Sequence, residues 1–391
     1  MNNLSEKEIG ERLRIARENA QITQNVSAQE IGVARTTIIA IEQGLRKIRI
    51  DELQKLASLY KTTVNALLRA EAVTINISPS FRKSKNANIE DVCEAVKLLE
   101  NLVRAEVELE NALGVKKRTN YPMEERIIPT SKSSLKRLAE TTAESLRNTL
   151  GLSSSPVLDI LSILDANLGI RVYLRPIKGN ISGIYAYNSA IGACMLINSN
   201  HPAKRQRLTG IHELGHFMSN RDSQHIIYKE IDSSKLENYA DFFCRAFLMP
   251  EGLVTKKFLE ITEGQSHLTR RHIILLADFF KVSREAITKR LEELLLVKKG
   301  IWDWFQNNGG ITDHQEEIVL GKRPERYLDE IASTAKVPPR ILLLAYQAWK
   351  NDLYSEGQLA NLLILSRHEM REILCNLESE ENSNDLFRFP R

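Results

Sequence analysis

RLTGIHELGHFMSN, from Arg207 to Asn220, sets two histidines four residues apart with a glutamate directly after the first. On an α-helix residues i and i+4 share a face, so His212 and His216 can aim both imidazoles at one ion. Glu213 then stands about 100° round the helix, within reach of a water bound there. Two ligands do not make a metal site, and a third donor is needed. LENYADFFCRAFLMP, Leu236 to Pro250, offers Glu237 and Asp241 one turn apart on one face of a second amphipathic helix. One carboxylate can complete a set of two histidines and a carboxylate while the other orients a histidine from behind it, and spacing alone leaves open which does which.

The surroundings of this stretch point to an α+β domain. Helical periodicity at Leu135, Leu138, Ala139 and Leu146 leads to a second helix with Val157, Ile160, Leu161 and Leu164. Three β-rich runs follow, GIRVYL, SGIYAY and ACMLIN, which predict a small sheet just before the HELGH helix. His225, His267 and Tyr239 read as surface or packing residues, and Cys244 as a buried packing thiol.

A chain of 391 residues exceeds what one hydrophobic core usually serves, so several domains are expected. No run of about 18 apolar residues appears, and the polar opening MNNLSEKEIGERLR lacks the apolar stretch of a signal peptide. The expectation is a cytoplasmic protein with no membrane partner. Cys93, Cys194, Cys244 and Cys375 form no CxxC pair, which argues against a disulfide framework or a thiolate cluster and leaves metal binding to histidine and carboxylate. Ligation by two histidines and a carboxylate suits zinc best. A net charge of +4 over this length is too dilute to imply nucleic-acid binding without a local site.

Such a site is offered near the N-terminus. From Lys7 to Leu68 the pattern is helical with short breaks, predicting a five-helix bundle. Thr23 is a good N-cap, and Gly32 can take the left-handed conformation of a tight turn before a second helix at Ala34–Gln43. That spacing allows the second helix to project its first turn, with Arg35, Thr36 and Thr37, into a major groove. Thr23-Gln24, the EIGV turn at Glu30 to Val33, Thr37-Ile38 and IEQG at Ile41 to Gly44 resemble the helix-turn-helix domain of lambda repressor, Cro and Xre-type regulators. The resemblance implies that Gln24 fixes the DNA backbone and that Arg35, Thr36 and Thr37 read a double-stranded operator. Ile39 and Ala40, taken as outward positions, are apolar here, which narrows the reading surface.

RQRLTGIHELGHFM followed by ENYADFFCRAFLMP resembles the ImmA/IrrE family of zinc metallopeptidases. Similarity continues upstream in SGIYAY, with Gly183, and in ACMLINSN, and downstream in ADFFKVSREAITKRLEEL. The resemblance implies a zincin-like fold with His212 and His216 as metal ligands, Glu213 as general base, and Glu237 or Asp241 as third ligand. By analogy with ExxxD helices, Glu237 is favoured as ligand and Asp241 behind it. It also implies an endopeptidase, either constitutive or latent until activated, that cleaves a repressor or antitoxin to derepress a phage, mobile-element or stress cassette. The alternative is a non-enzymatic regulator that keeps the peptidase fold as a sensor or dimerisation domain.

The expected architecture is multidomain and mainly α. Residues 1–70 form the helix-turn-helix domain and 71–125 a linker with a long amphipathic helix. The peptidase-like α+β domain spans 126–298 and a helical C-terminal region 299–391. The long helix, Ile89 to Leu113, could pair with its copy in a homodimer or dock on the following domain, and docking is preferred because its heptad drifts. SEGQLANLLILSR, Ser355 to Arg367, looks like a small helix-turn-helix without a glycine at its turn, and reads as a packing or partner module. The last residues, Glu378 to Arg391, read as loose.

Overall fold

The computed structural model describes residues 5–20, 22–60, 62, 64–68, 89–125, 127, 131–153, 155–189, 191–219, 221, 233–263, 267–321 and 337–383. The polar stretch Thr74–Asn88, His225 and residues 384–391 lie outside them. The chain forms two compact units, Met1–Ile75 with Glu110–Gly114, and Asn76–Leu109 with Val115–Arg391.

The first unit is built on α1 (Glu6–Asn19), α2 (Gln24–Ile31), α3 (Arg35–Glu42), α4 (Ile50–Leu59) and α5 (Val64–Leu68). Ser5 and Glu8 form a capping box at α1, and Thr23 accepts the Val26 N–H at α2. Gly32 takes the left-handed conformation at φ 72°, which turns the chain into α3. Leu13, Ala28, Ile38, Ile41, Leu53 and Leu56 close the core.

The second unit contains most of α6 (Ile89–Leu113), then α7 (Lys132–Thr149) and a short α8 (Ile160–Ser162) that runs into a π-turn at Ile163–Asn167. Strands β1 (Arg171–Arg175), β2 (Gly183–Asn188) and β3 (Gly192–Asn198) follow where the three β-rich runs place them. The sheet order is β1-β3-β2, with β1 parallel and β2 antiparallel to β3. Central β3 is buried along its whole length, which is why ACMLIN is apolar without alternation. Helix α9 (Ala203–Ser219) lies on β2 and β3, and α10 (Ser233–Leu248) packs between α7 and α9. Then come α11 (Glu251–Thr262), α12 (Arg270–Phe280), α13 (Arg284–Glu293), α14 (Ile301–Asn307) and α15 (Asp313–Leu320), and helices at Pro339–Lys350, Glu356–Leu362 and Arg367–Ser383. The last of these carries regular structure as far as Ser383, through part of the stretch expected to be loose.

A helix end leaves carbonyls without partners, and α10 ends inside the core. Two fully buried arginines answer this. Arg147 on α7 donates to Phe247 O and also holds Ser153 O and Ser155 O, while Arg290 on α13 donates to Met249 O and pairs with Glu140 at 2.5 Å. Residues 89–109 of α6 are docked in a comparable way. Buried Glu106 accepts from Arg171 at 2.5 Å, from Arg340 at 2.7 Å and from the Tyr173 hydroxyl at 2.7 Å, joining α6 to β1 and to the Pro339–Lys350 helix.

The turn between α2 and α3 shares its hydrogen-bond pattern with several other helix ends, among them two that lead directly into a following helix. Gly32 and Val33 donate to Gln29 O and Ala28 O, Lys281 and Val282 to Asp278 O and Ala277 O, and Ile364 and Leu365 to Asn361 O and Ala360 O. Each turn leads to a buried apolar residue on the second helix, Ile38, Ile287 and Met370. The C-terminal pair therefore forms the turn without glycine: Ile364 itself adopts φ 55°, a costly conformation for a β-branched residue.

Two stability outcomes follow. Arg147→Leu strands the buried Phe247 carbonyl, removes the donor shared by the Ser153 and Ser155 carbonyls, and is expected to lower unfolding free energy by roughly 1–3 kcal/mol, read from a urea midpoint. Ile364→Gly removes left-handed strain and is expected to raise it by about 1 kcal/mol, read from the thermal midpoint.

Candidate metal centre and nucleic-acid interface

The HELGH segment lies near the C-terminal end of α9, where Leu214, Phe217 and Met218 face the core. His212 and His216 therefore project together from the opposite side. Their Nε2 atoms lie 3.0 Å apart. Glu237, on the facing side of α10, brings a carboxylate oxygen to 3.3 Å from His212 Nε2 and 3.8 Å from His216 Nε2. Among the described residues these three form the one group of histidine, cysteine and acidic side chains with donor atoms close enough to share an ion.

Asp241 sits differently. Its carboxylate meets Nδ1 of His212 at 3.1 Å, on the ring edge turned away from Glu237. That contact fixes the tautomer with the proton on Nδ1 and leaves the Nε2 lone pair for a metal, the arrangement of an outer-shell carboxylate. Glu213 is half-buried on α9 with its Cγ facing the backbone of Gly183 on β2.

The donor set fits a tetrahedral zinc ion. Donor separations of 3.0, 3.3 and 3.8 Å bracket the roughly 3.4 Å edge of a tetrahedron with bonds of about 2.0–2.1 Å. The electrostatics agree. Burial disfavours the His212 cation, yet hydrogen bonds to Asp241 and Glu237 and the charge of Glu213 outweigh it and lift its pKa to about 10. The cluster favours positive charge at this point, which a divalent ion supplies.

Other residues weighed from sequence take no place in this group. Tyr239 is fully buried in the core and His267 is exposed. Cys244 is buried with its thiol donating to Leu208 O, and burial pushes its pKa up, so it is a packing thiol. Sequence reasoning passed over Gly215 and Ala240, the small residues at which α9 and α10 touch. The available signal was a glycine between two ligands on one helix and an alanine beside two carboxylates on the other.

In the first unit, Arg35 and Thr36 are exposed at the start of α3 and Thr37 is half-buried. Gln24 opens α2, where it donates to Glu42 at 2.9 Å and accepts from Arg35 Nε at 3.4 Å. Glu42 is itself buried and held by Arg17 at 2.6 Å. Arg17, Thr23, Gln24, Asn25 and Arg35 line a cleft of about 460 Å3; Arg17 there is paired with Glu42, and the Arg35 guanidinium and the N-terminus of α2 favour an anion such as a phosphate. Ile39 and Ala40, expected to face outward, are half-buried, and the exposed polar side chains of α3 lie in its first turn. Arg17 and Glu42 are the part of this network that sequence patterning missed.

Asp241→Asn is expected to lower zinc affinity about 10- to 100-fold by releasing the His212 ring, and Glu237→Gln to lower it further. Competition with a chromophoric chelator distinguishes the two. Equal affinity in Asp241→Asn and wild type would show that His212 needs no support from α10.

Comparison with known proteins adds family evidence. Residues 166–292 match the IrrE N-terminal-like domain, a metallopeptidase family, and residues 8–70 match a helix-turn-helix domain. No curated protein matches the chain. Among solved structures, ComR from Streptococcus suis is similar at 13% identity over 97% of this chain and 96% of that one, with a TM-score of 0.16, too low to bear on the fold. No described helix is long and apolar enough to cross a membrane. The chain thus carries an N-terminal helix-turn-helix domain and, within its second unit, an IrrE N-terminal-like domain that includes both the HELGH helix and the helix with Glu237 and Asp241.

Proposed function

We propose that this protein is a cytoplasmic, DNA-binding transcriptional regulator with an intrinsic zinc endopeptidase. Its substrate is a repressor or antitoxin whose cleavage derepresses a phage, mobile-element or stress cassette. The observation that carries the enzymatic reading is the convergence of His212, His216 and Glu237 with Asp241 on the far edge of His212 and Glu213 on the adjoining face of α9. A structural site has no use for Glu213. The family match at residues 166–292 supports the same reading, and the substrate class rests on the ImmA/IrrE resemblance.

In this mechanism His212, His216 and Glu237 hold the ion, and Asp241 orients His212. Bound zinc would lower the pKa of water toward 7 and polarise the scissile carbonyl. Glu213 takes the proton of the attacking water on its carboxylate and delivers it to the departing amine nitrogen. Its position one residue after His212 keeps the base beside the ligands without making it one. In the first unit, Arg35, Thr36 and Thr37 contact base edges. The Arg17–Glu42–Gln24 chain holds the Arg35 side chain from behind while Gln24 and its neighbours meet the backbone.

Glu213→Gln is expected to keep about one zinc per chain and lose 10²- to 10⁴-fold in cleavage of the protein substrate, the usual contribution of a general base. Cleavage that persists in Glu213→Gln refutes the assigned base, and wild type that binds zinc without cleaving favours the non-enzymatic regulator. Arg35→Ala is expected to weaken operator binding by about 1–3 kcal/mol in gel shifts while leaving cleavage intact.

A further inference from the structure

Helix α9 is closely approached on two sides, by Gly183 of β2 on one and by Ala240 of α10, packed on bare Gly215, on the other. With about 100° per residue and His212 as origin, His216 stands near 40°, Thr209 near 60°, Glu213 near 100° and Gly215 near −60°. Strand β2 meets the helix at the Thr209 and Glu213 side: a Cβ added at Gly183 would lie 2.6 Å from Thr209 Cγ2 and 3.8 Å from Glu213 Cγ. Helix α10 meets it at Gly215. The two imidazoles project into the groove between those contacts.

The Gly215 contact is the tighter constraint because it is made with main chain. A Cβ added there would lie 2.9 Å from Ala240 Cα, 3.2 Å from Ala240 Cβ and 3.3 Å from Ala240 O. Two of those atoms are backbone and cannot rotate aside. Ala240 stands three residues after Glu237 and one before Asp241, so any movement at this point carries both carboxylates with it. Relief to ordinary contact needs a shift of about 0.5 Å, beyond the roughly 0.2 Å tolerance of a metal site's bond lengths.

We infer that Gly215 is a positioning residue whose bare contact with Ala240 sets the gap between the imidazoles of α9 and the carboxylates of α10, and thereby the size of the ion they hold. The inference rests on the metal-binding reading above. A methyl group at Gly215 widens the donor set, so a small ion loses more than a large one. Fold and helix identity stay the same, which separates this role from general packing.

The test is Zn2+ and Cd2+ affinity by chelator competition for wild type, Gly215→Ala and Ala240→Ser, with circular dichroism of each metal-free protein. Folded Gly215→Ala is expected to lose about 10- to 100-fold in Zn2+ affinity, as when a ligand-orienting group is removed, and less for the larger Cd2+. Wild-type Zn2+ affinity in that variant, or equal losses for both ions, overturns the inference. If Gly215→Ala does not fold, Ala240→Ser decides. It adds one atom to the same contact, a reduced preference for Zn2+ over Cd2+ supports the spacer, and an unchanged preference overturns it. Wild type that binds neither ion overturns the metal reading itself.

Discussion

The close approach of α9 and α10 governs the metal centre, because His212 and His216 belong to one helix and Glu237 and Asp241 to the other. That approach has two parts. Gly215 and Ala240 let the helices touch near main-chain distance. At the far end of α10, Arg147 and Arg290 take up carbonyls that would otherwise be buried without donors. An arginine without water is expensive, and it is tolerated here because each guanidinium meets oxygen acceptors in the interior. The candidate site is therefore positioned mainly by backbone contacts and buried cations, with His216 buried and His212 and Glu237 partly exposed.

Much of this was legible in the sequence for definite reasons. HELGH declares itself because its spacing matches a helical turn, and the strands because GIRVYL and SGIYAY are rich in β-branched and aromatic residues while ACMLIN is a short, continuously apolar run. Thr23 and Gly32 mark the helix-turn-helix because capping and left-handed backbone each demand particular residues. Which carboxylate faces which imidazole edge was open from spacing, since Glu237 and Asp241 share one face. Only the crossing of the two helices places Glu237 at Nε2 and Asp241 at Nδ1 of His212.

What stayed hidden is chiefly buried charge. Glu106 and Arg340 are 234 residues apart, and each alone reads as a solvated position on an amphipathic helix. Together with Arg171 and Tyr173 they fasten α6 and the Pro339–Lys350 helix to β1. Removing one partner of such a group costs about 3–5 kcal/mol, because the remaining charge is left in the interior. Arg17 and Glu42 escaped notice in the same way. The turn at Ile364 was legible from its helix-turn-helix pattern although it breaks the residue rule that makes Gly32 visible; what stayed hidden is its support, Arg175 on β1 donating to Leu363 O at 2.8 Å.

The central claim is that α9 and α10 hold one catalytic zinc through His212, His216 and Glu237. Anomalous diffraction at the zinc absorption edge from crystals of the purified protein tests it most directly. The expected result is a single strong peak bonded to the two Nε2 atoms and the Glu237 carboxylate, with Asp241 on Nδ1 of His212. A peak ligated by Asp241 in place of Glu237, or no peak between these helices from zinc-supplemented protein, would contradict it.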